Sequence, residues 1–397
     1  MRFTRTMLTL SLVPAFLAGC NQLTPKDSRK EAQERWSQVR GRMKLQVAQE
    51  HLRTGRLAEA ESQLKDAMAL DPRCATAHVL IARVSMERGE LAAARNALNG
   101  AIELSGETGE VAYLLGVLAE WSGDHETALA CFQRSMERDG PSPTCIVARA
   151  ETLVALKRSD EALDLIQRHR NDFAGNRAMS SLAGDIHTML GHYNEAVDAY
   201  REVALLAPAD WQAQMQYGTA LARCGRHAEA VRVLEPLVKE NRDLPASARL
   251  ALGRSYLELG NPGAAHAAFR QVCDSNAAGP EEWTWLARAA LRQDDLAGAR
   301  QSAEKACASS TNNPSTFLLL AHVCIRQRDF EKARSALHAC LQIDSGQWLA
   351  HYLMGEVQKA TGRSSEAAFH YRMAIESDPS QSQARQLVAQ ALPASSR

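Results

Sequence analysis

Beginning at Ala60 and stepping 34 residues at a time, the chain carries alanine at Ala94, Ala128, Ala162, Ala196 and Ala230. After one extra residue the column continues at Ala265, Ala299, Ala333 and Ala367. Twelve residues before each of these ten alanines stands another small residue: Ala48, Ala82, Gly116, Ala150, Gly184, Gly218, Gly253, Ala287, Ala321 and Gly355. Length alone would suggest two or three globular domains. The period overrides that expectation and requires an array of like modules, each burying its apolar face against its neighbours. Two antiparallel helices approach most closely where neither carries bulk, so a small residue on each marks a crossing.

The stretch between the two columns is a turn. It holds Gly55, Gly89, Gly123, Gly191, Gly225, Gly260 and Gly362, the residue best suited to the left-handed conformation that ends a helix. Lys157, Asp294 and Arg328 take that place in the fourth, eighth and ninth repeats, whose turns are expected to be less ideal. Four residues after most column alanines comes a large apolar group: Leu64, Leu98, Phe132, Ile166, Tyr200, Leu234, Phe269, Leu337 and Tyr371, with only Ala303 in the eighth. Asp71-Pro72 and Asp378-Pro379 close two repeats, because proline cannot continue a helix. The fold class is therefore all-α.

A 34-residue helix–turn–helix with this spacing resembles the tetratricopeptide repeat, whose pattern runs aromatic, Leu-Gly, Tyr, then Ala, Phe and Pro. The resemblance covers residues 39 to about 380, with repeats near 39–72, 75–108, 109–142, 143–176, 177–210, 211–244, 246–279, 280–313, 314–347 and 348–381. It implies a right-handed superhelical solenoid. The fourth repeat departs most, with Arg149 where leucine is usual, and the eighth is polar around Gln293 to Asp295. Ser28 with Glu31 reads as a capping box, placing a helix start near Ser28 and the body of the solenoid at 28–380. Residues 381–397 read as a polar closing helix and a tail.

The first 19 residues read as a signal peptide: Arg2 and Arg5, an apolar core from Met7 to Phe16, then the small residues Ala18 and Gly19. Leu17-Ala18-Gly19-Cys20 resembles the bacterial lipobox residue for residue. That resemblance implies cleavage before Cys20, acylation of its thiol, and stable anchoring by two or more chains. Residues 20–27 would be a lipidated tether. Asn21 rather than Asp after the cysteine favours, by the same resemblance, the outer membrane facing the periplasm.

The 46 basic and 46 acidic side chains cancel, so no net field draws the chain to nucleic acid or anionic lipid. There is no Gly-rich phosphate loop, no HExxH and no GxSxG, and we expect neither an enzyme nor a cofactor. The eight cysteines after Cys20 form no CxxC and no zinc spacing, so no metal is expected. Most would replace alanine at packed positions, and Cys324 with Cys340, on the two helices of one repeat, is the one pair worth testing as a bridge. His187 and His192 flank a turn as surface residues. In the Trp-Thr-Trp at 283–285, Trp283 takes the aromatic core place and leaves Trp285 free for exposure.

The resemblance further implies that four places on each first helix line a concave groove. Two of them give an apolar stripe that includes Leu45, Val79, Tyr113, Met215, Leu250 and Leu318, then Met86, Leu257, Leu291 and Ile325. Packing between neighbouring first helices accounts for part of it. The other two places carry Val117, Trp121, Glu151, Asp185 and Met189 in repeats three to five, with Glu120 beside them, and Arg223, Arg254, Arg288, Arg292, His322 and Arg326 in repeats six to nine, opposed mainly by Glu258. Ordinary solvated helix faces also carry arginines. As a groove, the pattern suits an extended or helical segment of a partner protein, apolar anchors in pockets and arginines on carboxylates. The expected function is a lipid-anchored protein-interaction scaffold that assists assembly of a pilus or secretion apparatus. A scaffold for exopolysaccharide export or glycan binding is the alternative, and it would need Tyr113, Trp121 and Trp285 exposed in one line.

Overall fold

The structure is a computed structural model that describes residues 25–240, 244–274 and 278–378. Cys20, its flanking signal and most of the tether lie outside the described residues, as does the expected closing helix. The described residues form twenty α-helices and no strand. They pair as α1 (Pro25–Arg53) with α2 (Leu57–Leu70), α3 (Ala75–Glu87) with α4 (Leu91–Ser105), and α5 (Gly109–Trp121) with α6 (His125–Asp139). The fourth repeat is α7 (Pro143–Ala155) and α8 (Ser159–His169), the fifth α9 (Arg177–Leu190) and α10 (Tyr193–Leu206), the sixth α11 (Trp211–Arg223) and α12 (His227–Glu240). Then come α13 (Ala246–Glu258) with α14 (Pro262–Cys273), α15 (Pro280–Arg292) with α16 (Leu296–Ser309), α17 (Pro314–Arg326) with α18 (Phe330–Ile343), and α19 (Trp348–Ala360) with α20 (Ser364–Ser377). These ten hairpins stand in the register that the alanine column sets. α1 is already helical at Pro25, the first described residue, and so runs through Ser28 rather than starting there.

Contacts divide the chain into two compact units, one up to Leu165 and one from Ile166 onward. The boundary falls inside α8, in the repeat whose sequence departs most. Within each unit the packing is that of a stack. In the repeats on either side of α8, the first helix packs on its own second helix, as α5 does on α6, the second packs on the next first helix, as α14 does on α15, and successive first helices touch, as α3 does α5 and α15 does α17.

All ten column alanines are buried to 1% exposure or less. Where the first-helix position is glycine, however, the residue that lies on it is the large group four residues beyond the alanine. A Cβ added to Gly116 would meet the Phe132 ring at 2.6 Å, and one on Gly184 would meet Tyr200 at 2.7 Å. Gly218, Gly253 and Gly355 are covered in the same way by Leu234, Phe269 and Tyr371. The volumes compensate. Every aromatic in the large column, Phe132, Tyr200, Phe269 and Tyr371, faces a glycine, whereas alanine at the small place goes with Leu64, Leu98, Ile166, Ala303 or Leu337. Six cysteines (131, 145, 273, 307, 324 and 340) are buried as small packing residues, and Cys74 and Cys224 are half-buried. All eight are free thiols, the Cys324–Cys340 pair included. Burial pushes the Cys340 thiol up to about 11, so it stays protonated at neutral pH.

The turns expected to be poorer in the fourth, eighth and ninth repeats keep the geometry of the others. Lys157, Asp294 and Arg328 adopt φ of 61°, 62° and 59°, beside 77° for Gly123. Each closes the same pair of helix-end bonds. Gly123 and Asp124 donate to Glu120 and Ala119, as Arg328 and Asp329 donate to Ile325 and Cys324. The next helix is capped as it is after Gly123, where Asp124 accepts from Thr127: Asp295 and Asp329 accept from the backbones of Gly298 and Lys332. The substitution thus costs backbone strain rather than a different turn. Lys157→Gly should raise the unfolding midpoint, since left-handed backbone costs a non-glycine residue about 1–2 kcal/mol and glycine's own entropy returns only part of that. The reverse change, Gly123→Lys, should lower it. Urea melts that show no opposed shifts would contradict the strain assignment.

A basic groove wall built on a tryptophan

In the first unit, Tyr113 on α5 is half-buried, its ring tilted against Phe132 with centroids 5.6 Å apart. Burial, then the neighbouring Cys145 and Glu120, raises its phenol above the ordinary value. Trp121, at the end of α5, keeps 54% of its surface exposed. Thr152 on α7 donates to the Glu120 carboxylate at 2.8 Å. Glu151 beside it is raised, by burial first and by the Glu120 charge second.

The apolar stripe divides. Leu45, Val79, Met86 and Leu257 are buried core residues rather than groove lining, because successive first helices close over them. Met215, Leu250, Leu291, Leu318 and Ile325 remain half-buried.

The second unit places the basic residues. Arg254 on α13 and Arg288 on α15 occupy equivalent places in successive repeats, and both guanidinium carbons lie against the Trp285 ring, 4.9 and 4.8 Å from its centroid. Trp285 is half-buried rather than free. Its ring stacks on Phe269 at 6.1 Å, and its indole N–H donates to Glu281 at 3.3 Å. Phe269 in turn lies over Gly253, so the two guanidiniums rest on a ladder that begins at a core glycine. Beside Arg288, a hollow of about 400 Å³ opens along α15, α17 and α19, walled by Leu291, Leu318, Leu319 and Leu353 with His322 at its edge. Crowding around the His322 ring and the Arg326 charge hold its pKa below the ordinary value, which keeps it neutral at physiological pH. Arg292 and Arg223 are exposed and form no ion pair among the described residues. Arg326 does: its guanidinium pairs with Asp294, the left-handed turn residue one repeat back, at 2.7 Å. Thus Arg288 and His322 line the apolar hollow and Arg254 joins Arg288 on the Trp285 ring, while Arg326 is already engaged.

Two contacts were not anticipated. Tyr200 donates to Asp185 and Tyr371 to Glu356, both at 2.6 Å. In each, the phenol crosses the small glycine and reaches the carboxylate one residue beyond it. Burial and the carboxylate raise both phenols well above the ordinary range. Asp185, expected as a free groove acid, is therefore held from behind. The signal was present in the register: the phenylalanines at the same place, Phe132 and Phe269, stand opposite Val117 and Arg254, which are not carboxylates.

Two sequence profiles, each described as tetratricopeptide repeat, match the chain, one at residues 51–118 and 324–391, the other at 182–245 and 250–314. Together they span more than half of its length. This chain is a tetratricopeptide-repeat protein. Among solved structures it is similar to the anaphase-promoting-complex hetero-tetramer Cut9–Hcn1, at 13% identity over 93% of this chain and 95% of that one, with a TM-score of 0.45. It is also similar to MamA, at 18% identity over 53% and 96%, TM-score 0.34. PilW, described as a widely conserved type IV pilus biogenesis factor, matches at 15% identity over 62% and 98%, TM-score 0.43. These are likenesses between repeat stacks. No curated protein matches the sequence.

The Trp285 contacts should be measurable as coupling. In a double-mutant cycle of Arg288→Ala with Trp285→Phe, read from unfolding midpoints, we expect an interaction of about 0.5–1 kcal/mol, the range for a partly exposed cation–π contact. Additive effects would show that the guanidinium merely passes over the ring.

Proposed function

We propose that this protein is a lipid-anchored scaffold of the bacterial envelope that holds an acidic, partly apolar segment of a partner protein in the basic repeats of its second unit. The observation that carries the proposal is the pair Arg254 and Arg288, positioned by one indole, with Arg288 at the edge of an apolar hollow. Fixed guanidiniums bind carboxylates at a lower entropic cost than free ones, and bidentate pairing adds direction. Leucine walls accept apolar anchors from the same segment. Tetratricopeptide repeats serve in general as protein-interaction scaffolds rather than enzymes, which agrees with this use. A glycan platform is less well supported, since two of its three aromatics, Tyr113 and Trp285, are half-buried against other rings.

For location and system, the support is the leader sequence together with the repeats. A lipobox at Cys20 ahead of tetratricopeptide repeats resembles the lipoproteins that assist assembly of pili and secretion machines, and Asn21 favours the outer membrane.

Two experiments separate these parts. Cys20→Ser should abolish labelling by palmitate and leave the protein uncut or released. Retained labelling would overturn the anchor. For the groove, an acidic amphipathic peptide should bind the chain and lose affinity as salt is raised. Each charge-assisted contact is worth about 1.5–3 kcal/mol, so Arg288→Glu with Arg292→Glu should weaken that binding at least about tenfold with circular dichroism unchanged. Wild-type affinity in the double variant would assign recognition to another surface.

A further inference from the structure

α1 carries apolar residues on two opposite faces. Gly41, Leu45, Ala48 and Leu52 form the face that packs against α2 and α3, with Leu45 and Ala48 in the core beside Ala60 and Leu64. Trp36, Val39, Met43 and Val47 form the other. At about 100° per residue they fall within an arc of about 80°, roughly opposite the packed face. They are 64%, 46%, 61% and 45% exposed. Such a continuous row on the outermost helix differs from singly scattered surface apolars.

The charge around the row is also particular. The whole chain balances 46 basic against 46 acidic side chains, yet Pro25 to Lys44 contains seven Lys or Arg and three Asp or Glu. Arg40 borders one edge of the row, and Arg35 and Arg42 border the other. Lys44 is engaged with Asp66 at 2.6 Å, whereas Arg40 and Arg42 form no ion pair among the described residues. No helix of the described residues is long and apolar enough to cross a membrane.

We propose that this face of α1 lies along an anionic lipid surface. The row would sink its tryptophan, methionine and valines into the boundary between headgroups and acyl chains, while Arg40 and Arg42 extend to the phosphates. A second copy of the chain fits the row less well, because joining two such faces would bring like charges together at both edges. The place in the chain suits the lipid: only four residues separate Cys20 from Pro25, and the five steps between them span under about 18 Å even fully extended. The inference goes beyond the groove; its argument from position rests on the proposed anchor at Cys20, and the test leaves out the acyl chain so that the two can fail separately.

The test uses the mature chain with Cys20→Ser, so that no acyl group contributes. It should co-sediment with vesicles containing phosphatidylglycerol, and at least about tenfold less with phosphatidylcholine alone or in high salt. Trp36→Glu with Met43→Glu should remove at least about tenfold of that binding without changing the melting curve, because both side chains are exposed. Arg40→Glu with Arg42→Glu should reduce binding to the anionic vesicles selectively. The proposal is overturned if the unsubstituted chain ignores phosphatidylglycerol, or if Trp36→Glu with Met43→Glu leaves binding intact. It is equally overturned if ultracentrifugation shows a dimer that these substitutions dissolve while vesicles bind nothing, which would make the row a self-association surface.

Discussion

Everything in each repeat depends on how near its two helices can come. The distance is set where a second-helix side chain lies over a first-helix residue with little or no Cβ bulk. Phe132 on Gly116 is one solution to this steric problem, a ring where the backbone is bare, and the core cluster that holds Ala82 with Leu98 pairs a methyl with a smaller branched chain. Close packing makes this unforgiving, because interiors have no slack to absorb a misplaced methyl. A solenoid has no central core to compensate elsewhere, so each hairpin must solve the problem for itself and its neighbours.

The same crossing also determines what the first helices present outward. A ring that passes over glycine ends close to the residue after it. Tyrosine delivers a hydroxyl there, and Tyr200 and Tyr371 fasten Asp185 and Glu356. Phenylalanine delivers only a face, and Phe269 uses it to seat Trp285, on which Arg254 and Arg288 rest. Core packing and groove charge are thus consecutive links in one chain of contacts. A change at Gly253, buried and distant from solvent, should be felt by two surface arginines.

Much of this was legible from spacing. The two small columns located all ten hairpins, and the glycine column located their turns, because steric exclusion and positive φ each leave few residue choices. Lys157, Asp294 and Arg328 misled, since residue identity reports the cost of a conformation and not whether it is adopted. Backbone bonding and an aspartate cap hold two of those turns to the common shape. The groove was less legible. Exposure of Trp285, Leu257 or Met86 depends on how closely neighbouring first helices pack, which a one-dimensional register does not encode. Arg326 was counted as a free charge because its partner, Asp294, belongs to the preceding repeat's turn. The tyrosine–carboxylate pairs could have been found by comparing the large column with the residue after each small one.

The most direct test of the steric account is a double-mutant cycle at the seventh crossing, Gly253→Ala with Phe269→Leu, followed by unfolding free energies in urea. It converts one observed solution into the other. Gly253→Ala alone should cost about 1–3 kcal/mol, as overpacking does. The double variant should be more stable than the sum of the single costs by about 1 kcal/mol or more, since leucine leaves room for the new methyl. Strictly additive costs would mean that Phe269 does not limit the approach of α13 and α14, and the account would be wrong.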